Sequence, residues 1–397
     1  MLPRIKIIYE NGAIGAAVPS PDGLLGIVCT AVAVPDKFSL VTPYLLRSFD
    51  GLSLLGITVA NNPALHKLLR EFYAEAGDGT EVWIYGVPNT VNMTDMLDVT
   101  KANARALMEA ARGNLRGLIV SYLPAEGYTP VIVDGLDGDV YTAMAKGQEL
   151  AKWSAETKYA PVFVIIEGRG YSGSVIALKD LSTAANNSVG ILIGDTVKNS
   201  GGAAMGLLAG RIAKVPVHRN IGRVRDGAIA TTTAFIKDTI VELADIESIH
   251  NKGYITLRSY AGRSGYFFTD DPLATGPTDD YKYLARRRTI DKAYRIAYDT
   301  LLEELLSEIP VTDSGQLQPI IVKTWQGRVE RAIATAMTAN GELSADVTDP
   351  NDRGVICVID EQQNVVSTSR IVVQLRVRPF GYARYVDVLL GFTTTNV

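Results

Sequence analysis

The run Gly168-Arg169-Gly170-Tyr171-Ser172-Gly173 has the spacing of a dinucleotide-binding fingerprint, follows the apolar segment PVFVIIE, and precedes Asp195 at the distance expected of a ribose-binding acid. In such a site the glycines let the backbone approach a pyrophosphate at a helix N-terminus, and the chemistry would be hydride transfer by a nucleotide-dependent oxidoreductase. The setting argues against it. The fingerprint ordinarily opens its domain, whereas here several strands and helices precede it, and the helix that should follow, over residues 176–185, is short and interrupted by Asp180. A Gly-rich loop crossing a sheet edge is the preferred reading, with the oxidoreductase as its competitor. A second segment, Ser200-Gly201-Gly202-Ala203-Ala204-Met205-Gly206, offers backbone amides for an anion but lacks the GKS or GKT of a P-loop. Its small residues, with Ala209 and Gly210, suit close helix packing better.

Other chemistry finds little to work with. His66, His218 and His250 are isolated, and no HxxxH or CxxC pair supplies transition-metal spacing. Cys29 and Cys357 lie in apolar runs, where a free thiol acts as a small buried hydrophobe. No GxSxG occurs, and the acidic pairs Asp270-Asp271 and Asp279-Asp280 sit among Gly, Pro and Thr, as solvated loop carboxylates do. No catalytic, cofactor-binding or metal-binding residue is expected. The triplet Arg286-Arg287-Arg288 falls in a helical pattern, so its side chains point about 100° apart, and at least one should make a charge contact.

The elements that would position these groups alternate. LLGIVCTAVAV is a β-branched run suited to a strand buried on both faces. Leu65, Leu68, Leu69, Phe72 and Tyr73 recur at helical spacing after Pro63 and before Gly77, and VWIYGV follows as a strand. Helices near residues 100–112 and 140–153 each precede an apolar strand, and this alternation predicts an α/β body with a parallel or mixed sheet. From about residue 279 the pattern changes to long helices at 281–308 and 323–337 with strands at 354–360 and 369–378, an α+β unit. Ile5, Ile7 and Tyr9 alternate with polar residues ahead of Asn11-Gly12, and YARYVDVLLGF, residues 382–392, reads as a last strand.

The chain has 397 residues, 47% hydrophobic and 21% charged, with formal net charge −4, which places it among ordinary globular proteins of more than one unit. Without a basic run it has no electrostatic footprint for nucleic acid or an anionic membrane. No signal-peptide pattern opens it and no long apolar run interrupts it, so synthesis and folding in a cytoplasm are expected.

In their order these pieces resemble the contractile tail sheath family of phage tails, tailocins and extracellular injection systems, in particular Bacteroidetes-type sheaths. The resemblance runs through Leu54-Leu55-Gly56, the helix ending at Phe72 to Gly77, the Ser200 to Gly206 segment, and the turn Pro216-Val217-His218-Arg219-Asn220-Ile221-Gly222. It continues through Gly253 to Arg258 and through residues 283–289, where Arg287 and Arg288 match the family's Val-Arg-Arg helix start. The family's Trp-Gly-x-Arg-Thr appears only as Tyr266-Phe267-Phe268-Thr269-Asp270-Asp271, and the N-terminal arm is short.

The resemblance implies a structural subunit rather than an enzyme, needing no cofactor. It would polymerise in sixfold rings around an inner tail tube, contract, and meet baseplate and terminator proteins in a virion tail or injection particle assembled in a bacterial cytoplasm. A non-contractile tube or baseplate protein is the alternative. The expected organisation is an arm at 1–18, a sheath body at 19–278, an assembly domain near the tube at 279–380, and an arm at 381–397. Ile5, Ile7 and Tyr9 at one end, and Tyr385, Val386, Val388 and Leu390 at the other, would be donated to neighbours as strands, with Gly12, Gly15, Pro379 and Gly381 as hinges. The arginine triplet is a candidate charge contact with another subunit or the tube, the alternative being a solvated helix surface.

Overall fold

A computed structural model describes residues 21–392, and its compact units divide between Asp299 and Thr300. In the first unit, β1 (Leu25–Thr30) is buried at every position, as its unbroken apolar run requires. It pairs in parallel with β3 (Val82–Val87) on one side and β4 (Gly117–Ser121) on the other. β5 (Phe163–Glu167) and β6 (Val189–Leu192) extend the parallel sheet, while the short edge strand β2 (Pro43–Leu46) runs antiparallel to β3. The order is β2-β3-β1-β4-β5-β6, so the winding direction reverses between β1 and β4. This is the mixed α/β sheet the alternation predicts.

Helices cover both faces. α1 (Pro63–Ala76) links β2 to β3, α2 (Asn103–Ala110) links β3 to β4, and α3 (Gly138–Thr157) links β4 to β5. Right-handed crossovers running in opposite directions from β1 place α1 on the face opposite α2 and α3. α4 (Met205–Lys214) packs along α1. Its small residues make that approach possible: a Cβ on Gly206 would lie 2.1 Å from the Leu68 carbonyl oxygen, and one on Gly210 2.6 Å from that of Phe72. The small-residue stretch therefore serves packing.

Four sequence expectations change. Asp270 and Asp271, expected as solvated loop carboxylates, are buried, because the Asn220 side chain and the Ala285 amide donate to Asp271 at 2.7 and 2.8 Å. The helix expected at 176–185 is only a 3₁₀ turn, Leu181–Thr183, because Asp180 caps a tight turn there through the Ser182 amide. α5 (Leu284–Leu302) is shorter than residues 281–308 and gives way to turns at its C-terminal end. Residues 382–392 form no strand, since no ladder partner stands beside them among the described residues.

The second unit is smaller. α6 (Pro319–Ile333) begins on proline and continues into a π turn, Ala334–Thr338. Within the first unit β7 (Leu257–Tyr260) and β8 (Arg263–Phe268) form an antiparallel hairpin. In the second, β9 (Val355–Ile359) and β10 (Val373–Val377) form another, and α6 lies against β9. β9 alternates buried and exposed residues, turning Val355, Cys357 and Ile359 inward and Ile356 and Val358 outward. The small core here gathers Leu317, Val322 and Ile359, with Trp325 against it.

Candidate assembly interface

The carboxyl edge of the sheet, where the winding reverses, is where an open α/β sheet would ordinarily hold a ligand. Here the chain fills that edge itself. Glu167, at the end of β5, is 4% exposed and accepts hydrogen bonds from the Tyr122 amide at 2.8 Å and the Ala203 amide at 2.9 Å. The anion cradled by the Ser200–Gly206 loop is thus the protein's own carboxylate; a Cβ on Gly202 would sit 2.4 Å from its Oε1. Burial raises the Glu167 carboxyl pKa, against the pull of Arg169 and the two amides. Nearby, the Asn62 side chain bonds both backbone groups of Val32, and the Leu123 amide donates to Thr30.

The fingerprint residues do not converge either. The Gly168–Gly173 loop opens no helix, and Arg169 donates to the Tyr122 carbonyl. Asp195 is tied instead to Lys67 at 2.7 Å, which also pairs with Glu71 at 3.0 Å. Burial lowers the Lys67 pKa, but Asp195 and Glu71 outweigh it and the net direction is up. A further buried pair, Glu75 and Arg211 at 2.6 Å with each side chain 2% exposed, joins α1 to α4. These ion pairs escaped the sequence reading. The available signal was that Glu71 and Glu75 share a helix face with Leu68 and Phe72, an acidic pair on an inward stripe.

The arginine triplet divides. Arg288 is 3% exposed and donates to the carbonyls of Ile212, Val215 and Pro216, closing the C-terminal end of α4, where a cation is favoured. It is engaged within its own subunit. Arg287 pairs with Asp291 one turn on and lies over the Tyr281 ring, and Arg286 lies 5.7 Å from the Tyr283 ring centre. Beside Arg288, His218 has its pKa pushed down to about 4 by burial and then by Arg219 and Arg288. An unfolded histidine titrates near 6.5, so between that pH and about 4 the unfolded chain takes up a proton that the fold refuses. Stability is therefore expected to fall as pH drops from 7 to 4.5, and His218→Asn should flatten that slope in denaturant midpoints measured across the range.

At the C-terminal end, Tyr385, Val386, Val388, Leu389, Leu390 and Phe392 are all exposed and belong to no element. Pro379 and Gly381 follow β10 directly, and a Cβ on Gly381 would meet nothing within 4 Å. Among the described residues, no third strand flanks β9 or β10. The Cys357 amide, turned away from β10, is taken by the Glu330 carboxylate at 2.9 Å, which blocks the outer edge of β9 at its centre. Ile5, Ile7, Tyr9, Gly12 and Gly15 lie outside the described residues. Among the described residues, no cluster of His, Cys, Asp or Glu is arranged to hold a metal, and no helix is long and apolar enough to cross a membrane.

This architecture is the fold of contractile sheath proteins. A chain in the cryo-EM structure of the anti-feeding prophage baseplate matches with TM-score 0.64 at 13% identity, covering 100% of this chain and 99% of that one. The contracted sheath complex of an extracellular contractile injection system, PVC, matches with TM-score 0.61 at 15% identity, covering 100% and 98%. The sheath tail protein from Desulfitobacterium hafniense matches with TM-score 0.50 at 9% identity, covering 95% and 100%. The sequence matches the family described as DUF2586, by its N-terminal domain over residues 2–272 and its C-terminal domain over 280–396, and the chain belongs to that family. No curated protein matches it.

Proposed function

We propose that this chain is the structural subunit of a contractile sheath, polymerising around an inner tube and contracting to drive that tube through a target envelope. The observation that carries the reading is end-to-end agreement with sheath folds, with neither chain leaving a domain unmatched. The self-filled carboxyl edge supports a structural rather than an enzymatic role, since the places where a nucleotide or anion would sit are taken by Glu167 and Asp195 contacts. In this reading residues 279–380 form the assembly domain near the tube, and the terminal arms at 1–18 and 381–397 pass to neighbouring subunits.

Strand donation follows from two exposed features that need each other. The segment from Tyr385 to Phe392 presents an exposed apolar series, and among the described residues β10 has no strand on its outer side, in a two-stranded ribbon that is marginal alone. A neighbour's arm laid on that edge satisfies both. Such a head-to-tail contact propagates into rings or helices, and contraction becomes a rigid-body rotation with linked strands retained. Baseplate and terminator proteins, and the tube itself, are the proposed partners, in a phage tail or injection particle assembled in a bacterial cytoplasm.

Negative-stain microscopy of the purified chain tests this. Tubes or stacked rings are expected at high protein concentration; uniform monomers would refute the reading, and isolated rings that never stack would move it to a baseplate component.

A further inference from the structure

On the first unit, a cavity of about 340 Å³ opens between α2 and α3, with Met108, Leu115, Trp153 and Val162 among its walls. Its rim carries Arg112 and Lys158; Lys158 lies 5.3 Å from the Trp153 ring centre and 3.4 Å from Glu109. Two cations against one carboxylate leave the mouth net positive.

In the second unit, the turn after α5 presents an unusual projection. Leu305 and Leu306 are the central residues of a turn closed by the Ser307 amide on the Glu304 carbonyl, and they are 68% and 96% exposed. Leu306 has φ +64°, a backbone region that glycine or asparagine ordinarily fills at this turn position and that a bulky side chain rarely adopts. A leucine here combines strain with full exposure, and neither is explained by contacts within the subunit. Exposed Glu303 and Glu308 flank the turn, while Glu304 is paired with Arg328.

We infer that the Leu305–Leu306 turn of one copy seats in the Trp153 cavity of a second copy, as a lattice contact separate from strand donation. Two leucine side chains suit an apolar hollow of this volume, and the acidic flanks match the cationic rim, so charge sets the approach and burial holds the contact. The strained backbone has its reason in presenting leucine rather than glycine at the tip. This inference rests on the self-assembly proposed above.

The test uses the full chain. Ser307→Cys and Asn114→Cys, both exposed and adjacent to the two surfaces, are combined in one chain whose native Cys29 and Cys357 are buried. Oxidised particles should give a ladder of dimers and higher species on a non-reducing gel, and neither single variant should. Separately, Leu306→Asn should lower the assembled fraction at least about tenfold while leaving the monomer's unfolding midpoint unchanged or higher, because asparagine accepts this backbone. Particles without a ladder, cross-linking confined to single chains, or normal assembly by Leu306→Asn would each overturn the contact while leaving the sheath reading intact. A wild-type chain that stays monomeric removes both.

Discussion

Ending the chain after Gly381 is expected to yield a folded subunit that no longer polymerises. Residues 382–392 contribute no helix or strand, and their apolar side chains from Tyr385 to Phe392 are exposed, so the truncation should move the thermal midpoint by no more than about 2 °C. Assembly is another matter. A strand laid on the edge of β10 would contribute several main-chain hydrogen bonds at about 1 kcal/mol each, besides burying its apolar face. Losing about 3 kcal/mol per contact lowers association at least about a hundredfold, and every subunit in a lattice loses it. Sedimentation and microscopy of the truncated chain measure this; normal tubes would show that the C-terminal arm is not what links subunits.

The largest effect on stability is expected from Glu75→Ala. Glu75 faces Arg211 at 2.6 Å, accepts the Ala230 amide at 2.9 Å through its other oxygen, and has Lys214 3.9 Å away. Removing it leaves the buried Arg211 guanidinium with the Gly227 carbonyl, at 3.1 Å, as its acceptor among the described residues. Breaking a buried pair from one side costs about 3–5 kcal/mol, a large part of a typical 5–15 kcal/mol total. The double replacement Glu75→Leu with Arg211→Met should recover most of that loss, since an apolar pair avoids desolvating two charges. Denaturant midpoints of the three variants give the answer, and a cost under about 1 kcal/mol for Glu75→Ala would show the pair to be dispensable.

What the sequence could disclose depended on whether a residue's role was local. β1 and β3 were legible because strands buried on both faces must be apolar throughout, and α1 because its face, its proline and its terminal glycine agree. Glu75 and Glu167 were missed because a charge in a single sequence reads as solvated, and their partners stand far along the chain at Arg211 and Ala203; Glu71 has Lys67 one turn away, but the Asp195 that joins the pair is distant in sequence. Arg288 shows the same limit: three consecutive arginines promised a contact but not that one of them would close a helix of its own subunit. The YARYVDVLLGF segment differs again. Its alternation reports a capacity to form a strand, while a strand exists only in a ladder, and the described residues hold no second member for it.

The buried Glu167 has a mechanical consequence. Its two oxygens clamp the amide after β4 and the amide before α4, so the loops leaving three neighbouring strands share one anchoring point that water does not reach. A shear force entering through any one of those loops is distributed to the others before it can peel a strand from the sheet. A block stiffened in this way transmits torque instead of absorbing it.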